Sequence, residues 1–284
     1  MISWVMYYEL DAIAIARLLG AEKVAIYVIP MALFNFFRTI FGTVYTPFAA
    51  RFNHFVGTND LAGLRQFYFQ VIVLTMPIVL FPIISIEVLM KPFIYSWVGS
   101  YYLDSIPIAS ILLLCYLFSY ISYPANLLLV AQKKIKWINI ISTFNFLVFW
   151  TGVIATLHYW GVASFAVFKF LTMLITGIFF LMISARFMGV SISEAIKKIY
   201  APMLVPAIFL YGSLLMIGSF FPLEKNKLLL VLAILSGGIG SFLAMIIYSF
   251  FSQDFRNYAR GLWEKAFKYR TIPLVPLIPD NEEA

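Results

Sequence analysis

The chain has 284 residues, of which 63% are hydrophobic and only 12% are charged. Soluble domains average about 45–50% apolar and about 25% charged residues, so this composition excludes an ordinary soluble domain and indicates a polytopic membrane protein. The net charge of +7 would suggest a nucleic-acid partner in a soluble protein. In a membrane protein the placement of the cations sets orientation instead, and we expect no nucleic-acid partner.

Eight stretches approach the roughly 20 predominantly apolar residues that a membrane span requires. We therefore predict an all-α, polytopic membrane helical bundle with about eight transmembrane helices, at residues 2–19, 24–46, 69–90, 106–131, 137–158, 161–185, 201–221 and 227–251. Prolines in or beside these spans are expected to kink the helices rather than end them, because neighbouring helices can satisfy the freed carbonyls. They are Pro30, Pro47, Pro77, Pro82, Pro124 and Pro206.

The first span, "YYELDAIAIARLLG", is the weakest, because it is short and carries Glu9, Asp11 and Arg17. Glu9 and Asp11 point about 200° apart on a helix, so they cannot form one carboxylate pair unless the backbone unwinds. An ionisable residue at membrane depth costs at least about 2.5–3.5 kcal/mol, which makes each one a functional hypothesis. Asp11 is predicted to be an ion or proton site, or a counter-ion for Arg38. Glu9 has the further interpretation of an interfacial carboxylate.

Two cations lie deep within later spans. Arg38, in "LFNFFRTIFGTVYTP", has eight residues of its span after it, which places it about 12 Å from the nearer end. Lys169, in "GVASFAVFKFLTMLITG", lies at a similar depth from the opposite end. Both are candidates for functional residues that face an aqueous cavity. The alternatives are structural pairing and snorkelling to the membrane surface.

The cations of the connections predict the orientation. Thirteen of the 20 Lys and Arg residues fall in one set of alternating connections and the C-terminal tail, and five fall in the opposite set. The positive-inside rule then places both termini in the cytoplasm, in agreement with an even number of spans. In the tail, 252–270 has the pattern of a basic amphipathic helix, either on an anionic cytoplasmic leaflet or solvated. The final "IPLVPLIPDNEEA" is predicted to be extended and disordered.

Signatures of catalysis are missing from the sequence. There is no phosphate-binding GxxxxGK loop and no GxSxG nucleophile turn, and the connections are too short to hold an acceptor substrate. His54 and His158 fall in connections on opposite sides, so they cannot share a metal ion. We expect neither an enzyme nor a metal or other cofactor.

Several motifs together resemble one family of transporters. They are "ELDAIAIARLLGAEKVAIYVIPMAL", "TVYTPFAARFNHFVGTNDLAGLRQFY", "WVGSYYLDSIPIASILLL", "LLVAQKKIKWINIIS" and "YWGVASFAVFK". In this order they resemble the second lobe of the flippases that move polyprenyl-linked O-antigen or capsule repeat units. These flippases belong to the superfamily of multidrug and oligosaccharidyl-lipid exporters. The resemblance covers about residues 7–186 well and the rest loosely.

The resemblance implies an organisation for the chain. Residues 1–186 would form a six-helix lobe like the second lobe of a flippase, 187–251 two additional transmembrane helices, and 252–284 the basic cytoplasmic tail. The family's first lobe has no counterpart here. The chain is then a fragment, or it partners a first lobe on a separate polypeptide, or it assembles with copies of itself.

The resemblance also implies a function: translocation of polyprenyl pyrophosphate-linked oligosaccharides across a bacterial or archaeal cytoplasmic membrane, in contact with membrane lipids. By position, Arg38 and Lys169 would bind the pyrophosphate, and Asp11 and Glu9 would bind the proton or sodium ion that drives the cycle. Two alternatives remain. One is an ion-coupled multidrug exporter of the same superfamily, and the other is a non-transporting fragment or structural membrane subunit.

Overall fold

The protein is built from helices alone over the part that the structure describes. The computed structural model describes residues 2–270, with side chains described for residues 5–261. Within these limits the chain forms thirteen α-helices and no strand, so the predicted all-α class is confirmed. The helices are α1 Ile2–Tyr8, α2 Asp11–Leu19, α3 Ala21–Tyr45, α4 Phe48–Gly57, α5 Leu61–Val88, α6 Met90–Val98, α7 Ile106–Ser119, α8 Ser122–Ala131, α9 Ile135–Trp160, α10 Ala163–Met188, α11 Ile192–Ser219, α12 Lys227–Phe251 and α13 Gln253–Arg270.

Seven of the described helices are long and apolar enough to cross a membrane. They are α3, α5, α7 together with the 3-10 turn Ser100–Ser105 before it, α9, α10, α11 and α12. The chain is therefore a multi-pass membrane protein, as its composition predicts. Seven such helices compare with about eight predicted, and two of the predicted spans, 2–19 and 106–131, are interrupted.

The predicted span 2–19 is interrupted at Glu9 and Leu10, between α1 and α2. The two helices have 7 and 9 residues, or about 10 and 14 Å of length, against about 30 Å of hydrocarbon. The interruption allows the Glu9 and Asp11 carboxylates to point toward different partners. An even number of spans supports the prediction that both termini lie on the same side of the membrane. Because of the interruption, that support remains only if α1 and α2 cross the membrane together.

The predicted span 106–131 is interrupted as well. Helix α7 ends at Ser119 and α8 begins at Ser122. Pro124 accounts for the position of this interruption, because a proline has no N–H for the carbonyl four residues earlier and its ring clashes with that carbonyl. The carbonyl belongs to Tyr120, which lies between the two helices.

Four of the other five prolines do not end their helices, in agreement with that part of the prediction. Pro47 lies in the turn between α3 and α4 rather than inside a helix, so the expectation of a kink is wrong there. The remaining four occupy the interiors of continuous helices, Pro30 in α3, Pro77 and Pro82 in α5, and Pro206 in α11.

Helix α5 lies at the centre of the bundle. Of its most apolar stretch 67% is buried inside the protein, against 11% for α9 and 17% for α12. It packs against α4, α7, α11, α12 and α13. Helices α11 and α12 thus dock on the segment 1–186 through α5, while α9 and α12 present most of their surface outward.

The glycine-rich stretch "SGGIGS" at 236–241 allows α12 to pack closely. A Cβ at Gly240 would lie 3.0 Å from Leu210 Cδ1 of α11, and a Cβ at Gly237 would lie 3.3 Å from Ser85 Cβ of α5. The Ser85 and Ser241 hydroxyls hydrogen-bond across the same contact at 2.9 Å. Small residues and a polar bond are what hold helices together in lipid.

The tail helix α13 has the extent that the sequence predicts. It begins after Ser252, whose hydroxyl accepts a hydrogen bond from the Phe255 amide at 3.2 Å. Phe255 is buried, with its ring centroid 5.0 Å from that of Tyr248, so this helix begins against the bundle. The predicted extended segment 272–284 lies outside the described residues.

Helix α11 begins with a capping box that offers a test of local stability. The Ser191 hydroxyl accepts from the Glu194 amide at 3.2 Å, and the Glu194 carboxylate accepts from the Ser191 amide at 2.9 Å. We expect Ser191→Ala to lower the free energy of unfolding by about 1 kcal/mol, measured in detergent, because the Glu194 amide loses its side-chain acceptor. Ser219→Ala, at the exposed far end of α11, should change it by less than about 0.5 kcal/mol. Equal effects of the two changes would contradict the capping role.

Candidate functional site

The four residues that the sequence singles out lie together in two ion pairs. The Lys169 ammonium contacts Asp11 Oδ2, and both side chains are almost fully enclosed, with exposed fractions of 0% and 3%. Arg38 Nη2 lies 3.6 Å from Glu9 Oε1, and these side chains are 24% and 50% exposed. One pair is therefore sealed inside the bundle, and the other is open at one side.

The interruption between α1 and α2 positions the sealed pair. Asp11 is the first residue of α2, where the positive end of the helix dipole favours a carboxylate. The Tyr27 hydroxyl of α3 donates to the same Oδ2 atom at 2.5 Å. Asp11 Oδ1 is buried and has no hydrogen-bond partner among the described side chains and backbone. The carboxylate thus keeps an unused acceptor beside its ammonium partner.

Aromatic rings surround the Lys169 ammonium. Its Nζ lies 5.3 Å from the centroid of Tyr7, 5.5 Å from Tyr8, 5.4 Å from Phe149 and 5.9 Å from Phe34. These distances suit cation–π attraction, which is strongest when the cation is desolvated. The carboxylate and the rings together replace the water that an ammonium would otherwise bind.

The open pair shares Tyr8 with the sealed pair. The Arg38 guanidinium lies 4.5 Å from the centroid of Tyr8, the same ring that lies near Lys169. The sequence offers Asp11 as the counter-ion for Arg38, but the carboxylate beside Arg38 is Glu9, and Asp11 is paired with Lys169. Binding of a pyrophosphate, a proton or a sodium ion by these four residues stays a prediction.

A polar pocket adjoins this network. It has a volume of about 300 Å³ and lies where the end of α1 faces the interruption between α7 and α8, with α9 and α10 as its other walls. Tyr7 and Tyr8 form part of its lining. The hydroxyl and amide groups that line it belong to Ser119, Ser122, Asn126, Ser142, Asn145 and Thr176.

Some polar groups of this pocket have partners and others do not. The Thr176 hydroxyl donates to Asn145 Oδ1 at 2.9 Å, which joins α10 to α9. Ser119 Oγ and Asn126 Oδ1 are buried and have no hydrogen-bond partner among the described residues. Unpaired buried polar atoms are costly, so the pocket is suited to water or to a polar ligand.

Only part of this site is predictable from the sequence. Asn126 and Asn145 stand out as polar points in apolar spans, with no indication that they line one pocket. Ser119 and Ser122 carry no signal of their own, because serines in membrane helices usually bond to their own backbone. Pro124 is the signal that could have placed the interruption beside them.

The described residues contain no group of three or more His, Cys, Asp or Glu side chains that could hold a metal ion. Comparison with known proteins does not add an identity. No protein-family model matches the chain, no curated protein matches it, and no solved structure matches its fold. The candidate site therefore stands on its own geometry.

Proposed function

We propose that the chain forms one lobe of a transporter that flips polyprenyl pyrophosphate-linked oligosaccharides across the cytoplasmic membrane of a bacterium or archaeon. Both termini would face the cytoplasm. One observation carries the proposal: two interrupted helices meet at a polar pocket beside charged residues at membrane depth. Discontinuous helices of this kind typically form the substrate and ion sites of transporters that work by alternating access.

The open pair is the part of the site that can meet a substrate. A pyrophosphate oxygen can replace the Glu9 carboxylate beside Arg38, because both are anions and the guanidinium can bind either with charge-assisted hydrogen bonds. Arg38 is partly exposed, so this exchange needs no rearrangement of the core. Glu9 then acts as a resident anion that holds Arg38 in place between substrates.

The sealed pair suits a coupling role. Lys169 is enclosed, so it can reach a pyrophosphate only after it separates from Asp11. Protonation of Asp11 removes the attraction within the pair and thereby favours that separation. The paired and separated states would then belong to the two orientations of the lobe, and a proton would shift the population between them. A facing first lobe, in the same chain, a separate chain or another copy, completes the pathway.

An ion-coupled multidrug exporter is the second candidate, and one observation favours it. Glu9 is the most exposed of the four charged side chains, at 50%, and its partner Arg38 lies 4.5 Å from the centroid of the Tyr8 ring. A carboxylate near an aromatic ring is a suitable site for an organic cation. The two candidates differ in whether Arg38 or Glu9 contacts the substrate.

We expect Arg38→Ala to reduce export of the lipid-linked oligosaccharide by tenfold or more, because the substrate loses its accessible cation. Cells that lack the protein should accumulate the lipid-linked unit on the cytoplasmic leaflet, and leaflet-specific labelling measures how far each variant restores export. Arg17→Ala is the matched control, since Arg17 is exposed on α2 and lies outside both ion pairs.

The same cells separate the candidates. Full export by the Arg38→Ala variant would contradict the role of Arg38 in binding the substrate. A normal distribution of the lipid-linked unit between the leaflets in cells that lack the protein would contradict the flippase function. If the cells instead become sensitive to cationic drugs, and Glu9→Gln reproduces that sensitivity, the protein is a drug exporter.

A further inference from the structure

A second pocket lies away from the candidate site, at the end of the bundle where α5 and α9 begin and α10 ends. It has a volume of about 560 Å³, and we name it the basic pocket after the three cations in its lining. They are Arg65, Lys134 and Arg186. Arg65 lies near the start of α5, Lys134 directly precedes α9, and Arg186 lies in the last turn of α10, so the fold brings three cations that are far apart in the sequence to the same end of the bundle.

No carboxylate among the described side chains neutralises the charge of the basic pocket. The side chains of all three cations are exposed, and none of the described residues in the lining is acidic. No carboxylate among the described side chains lies within 4.0 Å of any of the three. Lys134 also precedes α9, whose first turn has no side-chain cap, so the positive end of that helix adds to the field. Such a cluster is complementary to an anion.

The floor of the basic pocket is apolar. It contains the side chains of Leu128, Leu129, Phe179, Met182, Ile183 and Phe187. Trp137 stands at the edge with its ring centroid 6.3 Å from that of Phe179, and tryptophan is enriched where a protein crosses the membrane surface. A free phosphate would contact the cations but not this apolar surface. An amphiphile with an anionic head and an acyl chain uses both.

We propose that the basic pocket binds an anionic phospholipid, with its phosphate between Arg65, Lys134 and Arg186 and an acyl chain over the floor at Met182. Basic pockets between transmembrane helices are a recognised way of holding anionic headgroups. The bound lipid joins the start of α5, the start of α9 and the end of α10. This inference is independent of what the protein transports.

The test uses the purified full chain in a neutral detergent. Native mass spectrometry measures the binding of phosphatidylglycerol and of phosphatidylcholine with identical acyl chains. Each Lys or Arg near an anionic surface strengthens binding about fivefold, so the triple variant R65Q/K134Q/R186Q should bind phosphatidylglycerol on the order of a hundredfold more weakly. The matched variant K136Q/K197Q/K198Q removes three exposed cations outside the pocket and should stay within about fivefold of the parent.

Three results would overturn the proposal. They are equal binding of the two lipids, equal weakening in the two triple variants, and full protection against thermal unfolding by glycerol phosphate alone, which would identify a free anion as the occupant. If the triple variant fails to fold, the single variants R65Q, K134Q and R186Q replace it. Each should bind phosphatidylglycerol about fivefold more weakly than the parent.

Discussion

The Asp11→Asn variant should lose about 3–5 kcal/mol of its free energy of unfolding, because it leaves the Lys169 ammonium buried without a counter-charge. The substitution keeps the shape of the side chain and an oxygen that can accept from Tyr27, so the change is confined to the charge. Lys169 is fully enclosed by the protein and cannot extend to water without opening the bundle. Titration of the purified protein with SDS in mixed micelles measures the loss.

The double variant Asp11→Asn/Lys169→Met separates the loss of charge balance from the loss of contact. Methionine fills nearly the volume of lysine and packs well against aromatic rings. Replacing both members of a buried pair by neutral groups is often neutral or stabilising, so we expect the double variant to recover more than half of the loss. Glu9→Gln is the matched control at the open pair and should cost less than about 1 kcal/mol.

These variants also separate stability from transport. A double variant that is stable and still exports would show that the sealed pair is a structural element, and it would contradict the coupling role. A double variant that is as unstable as Asp11→Asn would show that the contact itself, rather than the isolated charge, carries the stability. A stable double variant that no longer exports is the result we expect.

The sequence predicts the long helices well, because hydropathy and length alone decide which segments can lie in lipid. The exceptions have local causes that hydropathy does not detect. The interruption at Glu9 and Leu10 depends on the separate partners that Glu9 and Asp11 find in the fold. The interruption before Ser122 depends on Pro124, which packing could equally have accommodated as a kink.

The candidate site is predictable as a list of residues and not as an arrangement. Charge at membrane depth identifies Glu9, Asp11, Arg38 and Lys169 without any structure. Their pairing is beyond the sequence, because Asp11 and Lys169 are 158 positions apart and no periodicity connects them. The identity of each counter-ion comes from tertiary packing, and so does the enclosure that makes Lys169 inaccessible.

Gly177→Ala should destabilise the protein by about 1–3 kcal/mol, because helices α7 and α10 leave no room for a methyl group at their crossing. A Cβ at Gly177 would lie 2.4 Å from the carbonyl oxygen of Phe118 and 2.9 Å from its carbonyl carbon. These are backbone atoms, so no rotamer change can relieve the contact and the two helices must move apart. The contact lies one residue before the end of α7, beside the polar pocket.

Gly212→Ala is the matched control for this change. Gly212 also lies inside a long helix, but a Cβ there meets no atom within 4 Å, so alanine should be neutral or should stabilise by up to about 1 kcal/mol through its helix propensity. Thermal unfolding in detergent measures both variants. Because Ser119 and Thr176 line the polar pocket on either side of the Gly177 contact, separation of α7 from α10 should also widen that pocket. We therefore expect faster hydrogen exchange of the α7–α8 segment in Gly177→Ala but not in Gly212→Ala. Unchanged exchange and unchanged stability of the Gly177→Ala variant would contradict the close contact.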